Sequence, residues 1–178
     1  MILETKRLYL RELTIDDLPA LKRILQDEIT MTAYEGAFND SEVVEWFNRQ
    51  RDRYTKDGIG LWAVILKSTK QMIGQCGLTY QPWKGDTVLE IGYLFERAYW
   101  HQGYATEAAR TCKRYAFKTL GATEVCSIIR DTNIASQHVA IRNGMTKIDR
   151  SIKYHKGVDM PHSRFVVKRS IQKPMNQI

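Results

Sequence analysis

The sequence predicts a single mixed α/β domain, and three observations carry that prediction. A chain of 178 residues is long enough to bury one sizeable core. Its apolar segments switch between strand and helix periods in the order strand, two helices, three strands, helix, strand, helix, two strands. The three middle strands are joined by turns and not by helices, which excludes a run of βαβ units. The domain fills residues 1–170, with about seven strands and about four helices, and residues 171–178 form a polar tail.

Arg7-Leu8-Tyr9-Leu10-Arg11 alternates polar and apolar residues, the pattern of a half-buried strand. Thr14, Asp16, Asp17 and Pro19 make a helix start, and Leu18, Leu21, Ile24 and Leu25 supply its buried stripe. Residues 29–40 lack any period and read as a loop. Ser41 opens a second helix with Val44 and Phe47 on its apolar face, running to about Tyr54. Trp62–Leu66 and Gln71–Leu78 read as two strands around the turn Ser68-Thr69-Lys70, and Gln81–Asp86 as a longer turn. Val88–Phe95 is the central strand. Beyond it, Ala105, Ala108, Ala109, Cys112, Tyr115 and Ala116 share one helical face, with Gly121 as the stop. Glu124–Arg130 is a strand, a short helix runs from about Ile134 to Asn143-Gly144, and strands near Met145–Tyr154 and Ser163–Lys168 flank a loop at 155–162.

Composition removes several function classes. The 43% hydrophobic and 26% charged content is that of an ordinary globular protein. No apolar run reaches the roughly 18 residues that cross a bilayer, and the first residues lack the order of a signal peptide, so a cytoplasmic setting is expected. Cys76, Cys112 and Cys126 lack metal or disulfide spacing, and His138, His155 and His162 lack ligand spacing, so no metal is expected. The net charge of +7 fits a basic nucleic-acid binder, a polyanionic ligand or a plain solvated surface. Its cations are spread along the chain without interleaved aromatic residues, which weighs against nucleic acid.

The central strand, the elbow Trp100-His101-Gln102-Gly103-Tyr104-Ala105-Thr106 and the following helix are the informative stretch. A helix N-terminus offers amides without internal partners and partial positive charge. Gly103 lets the backbone approach an anion without a Cβ in the way. The same elbow also serves as an ordinary strand-to-helix connection. As a cradle, His101, Gln102, Gly103, Tyr104, Ala105 and Thr106 would grip a pyrophosphate.

This stretch resembles motif A of the GCN5-related N-acetyltransferases (GNAT superfamily), whose turn reads Arg/Gln-x-x-Gly-x-Gly/Ala. Gly103 and Ala105 match, while Trp100 replaces the leading Arg or Gln, as in the RimJ/RimL-like branch that acetylates ribosomal-protein N-termini. Thr5-x-Arg7-Leu8-x-Leu10-Arg11, Glu90-Ile91-Gly92-Tyr93 and Asn133-x-x-Ser136 follow that branch in order and spacing. The resemblance implies a mostly antiparallel sheet splayed in the middle, with the pantetheine arm of acetyl-CoA in the gap. It implies an acetyl-CoA-dependent N-acetyltransferase acting on a primary amine, a protein N-terminus or a small molecule, with a homodimer plausible.

Glu90 is then the candidate base, since burial between Leu89 and Ile91 would raise its pKa; alternatively it faces solvent or pairs with a basic residue. Ser136 is the candidate proton donor or thiol-side hydrogen bond, or a helix cap. The tyrosine that many relatives carry about seven residues after the Asn is Ala140 here. Asn133 is either a cap or a partner of the pantetheine amides. The cofactor's amides would pair with the backbone of Tyr93, Leu94 and Phe95 as an added strand does. His101 stands where glycine is commoner in the branch. Tyr34, Glu35, Phe38 and Trp83 are acceptor-binding candidates, Glu35 through attraction of an ammonium; the aromatic residues serve equally as core. No cysteine is set up as a nucleophile, so direct transfer is expected. The alternatives are a catalytically silent coenzyme A-binding or sensing module and, further off, a basic nucleic-acid-binding protein.

Overall fold

The computed structural model describes residues 1–155 and 157–170, so the expected tail at 171–178 lies outside the described residues. Eight strands form one sheet in the order β1-β2-β3-β4-β5-β6-β8-β7. They are β1 (Leu3–Glu4), β2 (Leu8–Arg11), β3 (Leu61–Leu66), β4 (Met72–Trp83), β5 (Asp86–Phe95), β6 (Glu124–Arg130), β7 (Thr146–His155) and β8 (Val158–Lys168). The helices are α1 (Leu18–Leu25), α2 (Asp40–Asp57), α3 (Tyr104–Lys118) and α4 (Ile134–Arg142). All pairings are antiparallel except β5 with β6. The eighth strand is the short β1, which the alternation of residues 7–11 did not announce.

The sheet is covered on both faces, which is why β3 is buried along its whole length. One core lies under α3 and α4 and includes Leu8, Trp62, Leu78, Ile91, Ala109, Cys112 and Ala140. The other lies under α1 and α2 and includes Leu21, Leu25, Val43, Trp46, Phe47, Ala63 and Ile65. Because side chains alternate across a strand, Ile91, Tyr93 and Phe95 of β5 point to the first core. Glu90, Gly92 and Leu94 point the other way, with Leu94 against the second core.

Local chemistry moved several boundaries. The cap of α2 is Asn39 and not Ser41: its side chain accepts from the Glu42 amide, and the Glu42 carboxylate accepts from the Asn39 amide. The buried stripe is accordingly Val43, Trp46, Phe47 and Gln50, and Val44 is exposed. The long turn expected at 81–86 is a two-residue turn. Lys84 (φ 51°) and Gly85 (φ 92°) both take left-handed conformations, so Trp83 pairs directly with Asp86. The loop expected at 155–162 is mostly strand, with His155 paired to Val158 and β8 already begun at that point.

Candidate active site

The centre of the sheet opens beside Glu90. Strands β5 and β6 share a single registered pair, Glu90 with Cys126, whereas β4 follows β5 over its full length. Beyond that pair the gap-side edge of β5 has no partner strand among the described residues. Two groups still occupy parts of it: Ser127 Oγ donates to the Ile91 carbonyl at 2.8 Å, and Trp100 Nε1 donates to the Phe95 carbonyl at 2.8 Å. Of the three residues expected to offer backbone along the gap, Phe95 therefore has its carbonyl already engaged. Tyr93 lies within the open edge, whereas Leu94, in register with Gln75 and two residues before the Glu96 amide that bonds the Ile73 carbonyl, turns its backbone toward β4 and not, as expected, toward the gap.

At the C-terminal end of β5 the chain turns through the elbow into α3. His101 (φ 60°) and Gly103 (φ 80°) are both left-handed. A non-glycine residue held there costs roughly 1–2 kcal/mol, which explains why glycine suits position 101. Among the described residues no side chain caps α3, in contrast to α2 and α4, whose caps are Asn39 and Asn133. The first helical bond runs from the Glu107 amide to the Gly103 carbonyl, so the amides of Tyr104, Ala105 and Thr106 lie free at the helix start. An ideal Cβ at Gly103 would meet Arg7 Nη2 at 3.5 Å.

Arg7 was missed as a site residue although its motif was legible. Its Nη1 donates to the Gln102 carbonyl at 2.9 Å, its Nε to Glu107 at 2.7 Å, and its guanidinium lies 4.3 Å from the Tyr104 ring centroid. Thr5 Oγ1 and the Arg7 amide also donate to Glu107, at 2.6 and 3.0 Å. The beginning of the chain thus pins the elbow, with the Arg7 charge matched by Glu107.

Glu90 is half-buried. Its Oε1 accepts from the Ile128 amide at 3.2 Å and its Oε2 from Thr79 Oγ1 at 3.4 Å. Burial raises its pKa above the ordinary carboxylate value, against the opposing pull of Lys153, these hydrogen bonds and Arg53. A carboxyl whose pKa is raised in this way is a stronger proton acceptor than an ordinary carboxylate. The alternative of a plain ion-paired glutamate does not hold, because no cation lies within ion-pair distance of it among the described residues.

On the α4 side, the Ser136 amide donates to Asn133 Oδ1 at 3.1 Å, so Asn133 is the cap. The Ser136 carbonyl accepts from the Tyr93 hydroxyl at 2.7 Å. Ser136 is half-buried, and among the described residues its own hydroxyl has no hydrogen-bond partner. Tyr93 thus brings a phenol to α4, and burial raises its pKa above the usual tyrosine value. Ala140, where many relatives carry a tyrosine, is fully buried in the core. The Tyr93 side chain was not singled out from the sequence; strand alternation alone would have placed it on the α3/α4 face.

The acceptor candidates divide. Tyr34 and Phe38 form an edge-on cluster with Trp46, with centroids 5.9 Å (Tyr34) and 5.8 Å (Phe38) from that ring. The Tyr34 hydroxyl senses both Glu90 and Arg53. Glu35 is held by Arg130 in an ion pair, and Arg130 also donates to the Thr32 carbonyl at 3.1 Å, so its charge is matched within the protein. Trp83 is buried and donates to Asp149 Oδ1 at 3.1 Å. It lies four residues along β4 from the Thr79–Glu90 rung, about 13 Å away. Its role is packing.

The sequence pattern described as Acetyltransferase (GNAT) domain matches residues 7–146. The chain belongs to this family. YkkB, an uncharacterized protein of Bacillus subtilis strain 168, is 37% identical over 144 residues, covering 80% of this chain and 84% of YkkB. A GNAT-family acetyltransferase from Bacillus anthracis superposes with a TM-score of 0.79 at 22% identity, covering 94% of this chain and 98% of that one. The RimL ribosomal L7/L12 α-N-protein acetyltransferase, solved with coenzyme A, superposes with a TM-score of 0.75 at 15% identity, covering 94% and 97%. GNAT acetyltransferases use acetyl-CoA, and this GNAT domain has features that fit it. They are the free amides at the start of α3 and the open edge of β5. No helix among the described residues is long and apolar enough to cross a membrane.

Proposed function

We propose that this GNAT acetyltransferase transfers an acetyl group to a primary amine by direct attack, with Glu90 as the base. The observation that carries the reading is the position of Glu90. It stands at the last registered pair before the β5/β6 gap, with its pKa raised by burial and no cation in contact. Acetyl-CoA supplies an activated acyl thioester. The amides of Gly103, Tyr104, Ala105 and Thr106, with His101 and Gln102 in the same elbow, would hold its pyrophosphate. Tyr93 would pair with its pantetheine amides along the open edge.

The remaining steps belong to side chains of this chain. An arriving ammonium must lose a proton before it can attack, and Glu90 takes that proton directly or through a water. Thr79 and the Ile128 amide hold the carboxylate in place while it does so. Ser136, with an unengaged hydroxyl, offers a hydrogen bond on the thiol side, and Asn133 fixes the turn that presents it. The acceptor is a protein N-terminus, as RimL-like relatives would imply, or a small amine.

Mixing the protein with acetyl-CoA and a panel of amines, and reading free thiol, tests the proposal. Amine-dependent release without an acetyl-enzyme burst is expected. Coenzyme A binding with no release from any amine would leave a binding module instead.

A further inference from the structure

A groove beside the hairpin that carries Glu90 has a charge pattern of its own. A cavity of about 400 Å³ lies between α2 and the β4–β5 hairpin. Arg49, Arg53 and Lys56 line it at helical spacing, with Asp52 and Asp57 beside them and Gln81 on the hairpin wall. A hydrogen-bonded line connects it to the base: Gln81 Nε2 donates to Thr79 Oγ1 at 3.0 Å, and Thr79 Oγ1 donates to Glu90.

Arg53 is the unusual member. It is half-buried, and the hydrogen bond it makes is from Nη1 to Gln50 Oε1 at 3.3 Å. Gln50 Oε1 also receives the Leu61 amide at 3.1 Å. Among the described residues no carboxylate comes within ion-pair distance of Arg53. Asp57 and Glu90 lie near enough to be felt, but neither closes the contact. Desolvating a guanidinium without a carboxylate is unfavourable. Arg53 lines the cavity and lies near enough to Glu90 for the two charges to interact, and Lys153 adds positive charge from β7. A polyamine would bring further cations into this field, whereas an amine with an anionic group nearby would be matched.

Resting on the transferase reading above, we infer that the acceptor is a small primary amine carrying a carboxylate, which Arg53 binds from α2 while the amine faces Glu90. An arginine–carboxylate contact is charge-assisted and directional, so it orients the acceptor as well as attracting it.

The test uses free amino acids, each beside its own carboxamide, together with spermidine as a purely cationic amine, with free thiol as readout. Wild type should favour the carboxylate member of at least one pair by tenfold or more in kcat/KM. Arg53→Gln should lower that value by about 10- to 100-fold, mainly through KM. It should lower kcat/KM for the carboxamide far less than for the carboxylate and leave the KM for acetyl-CoA unchanged, and Arg53→Lys should recover part of the loss. Preference for carboxamides or spermidine, or an equal effect of Arg53→Gln on both members of a pair, overturns the inference while the transferase reading stands. Absence of thiol release from every amine overturns both.

Discussion

Replacing Glu90 by Gln separates stability from activity, because the two should move in opposite directions. Glutamine keeps an oxygen for the Ile128 amide and an amide that Thr79 can meet, so the fold is retained. What is lost is a proton acceptor, and removal of a general base costs about 10²- to 10⁴-fold in rate. The stability effect follows from the direction of the pKa shift. Burial raises the folded pKa of Glu90 above its unfolded value. Its contribution is therefore complete below about pH 4.3 and is lost as pH rises through the folded value. Above its folded pKa the wild type carries a buried charge that the variant lacks. Each tenfold displacement of that ionisation is worth about 1.4 kcal/mol, or about 3–6 °C in Tm for a chain of this size. Thiol release from pH 6 to 9 and thermal unfolding at pH 4.5, 6 and 8 would measure both effects. Turnover should collapse, and Tm should exceed wild type at pH 8 with the difference closing toward pH 4.5. Normal turnover across the range would remove Glu90 from the chemistry. A lower Tm at pH 8 would mean that Lys153 and Arg53 outweigh burial.

Gly103→Val places a β-branched residue at φ 80° and a Cβ 3.5 Å from Arg7 Nη2. Stability should fall by at least about 1–2 kcal/mol, and acetyl-CoA affinity by calorimetry at least 100-fold; unchanged affinity would dismiss the elbow as a phosphate site. Tyr93→Phe removes the hydroxyl donated to Ser136 and should cost about 1 kcal/mol in chemical denaturation. The acetyl-CoA KM should rise a few-fold with kcat within twofold of wild type. A tenfold loss in kcat would instead place the phenol in the proton transfer.

Much of this architecture was legible because the strongest signals are local. The small-residue face of α3, the left-handed glycine at 103 and the strand around Glu90 are all written in adjacent residues. What escaped was decided by competition or by distance. Asn39 displaced Ser41 as the cap because only Asn39 lies three residues before Glu42. Trp83 looked like a loop residue until Lys84 and Gly85 took the whole turn on themselves. Residues 158–162 lack a clear alternation, yet pairing to β7, joined by β6 at His162, makes them strand. Arg7 meets its partner Glu107 across 100 positions, and Arg53 reaches Glu90 from another element. No window along the chain contains either relation.

The free helix start lies on the α3 face of the sheet and Arg53 comes from α2 on the other face, with Glu90 at the β5/β6 junction. Two ligands entering from opposite sides do not obstruct each other's route, so neither has to arrive first. Initial-velocity patterns should then intersect with both substrates varied, and each dead-end analogue should compete with its own substrate alone. Acceptor preference could also diverge among relatives through α2 and the hairpin without disturbing the corner built by Arg7 and Gly103.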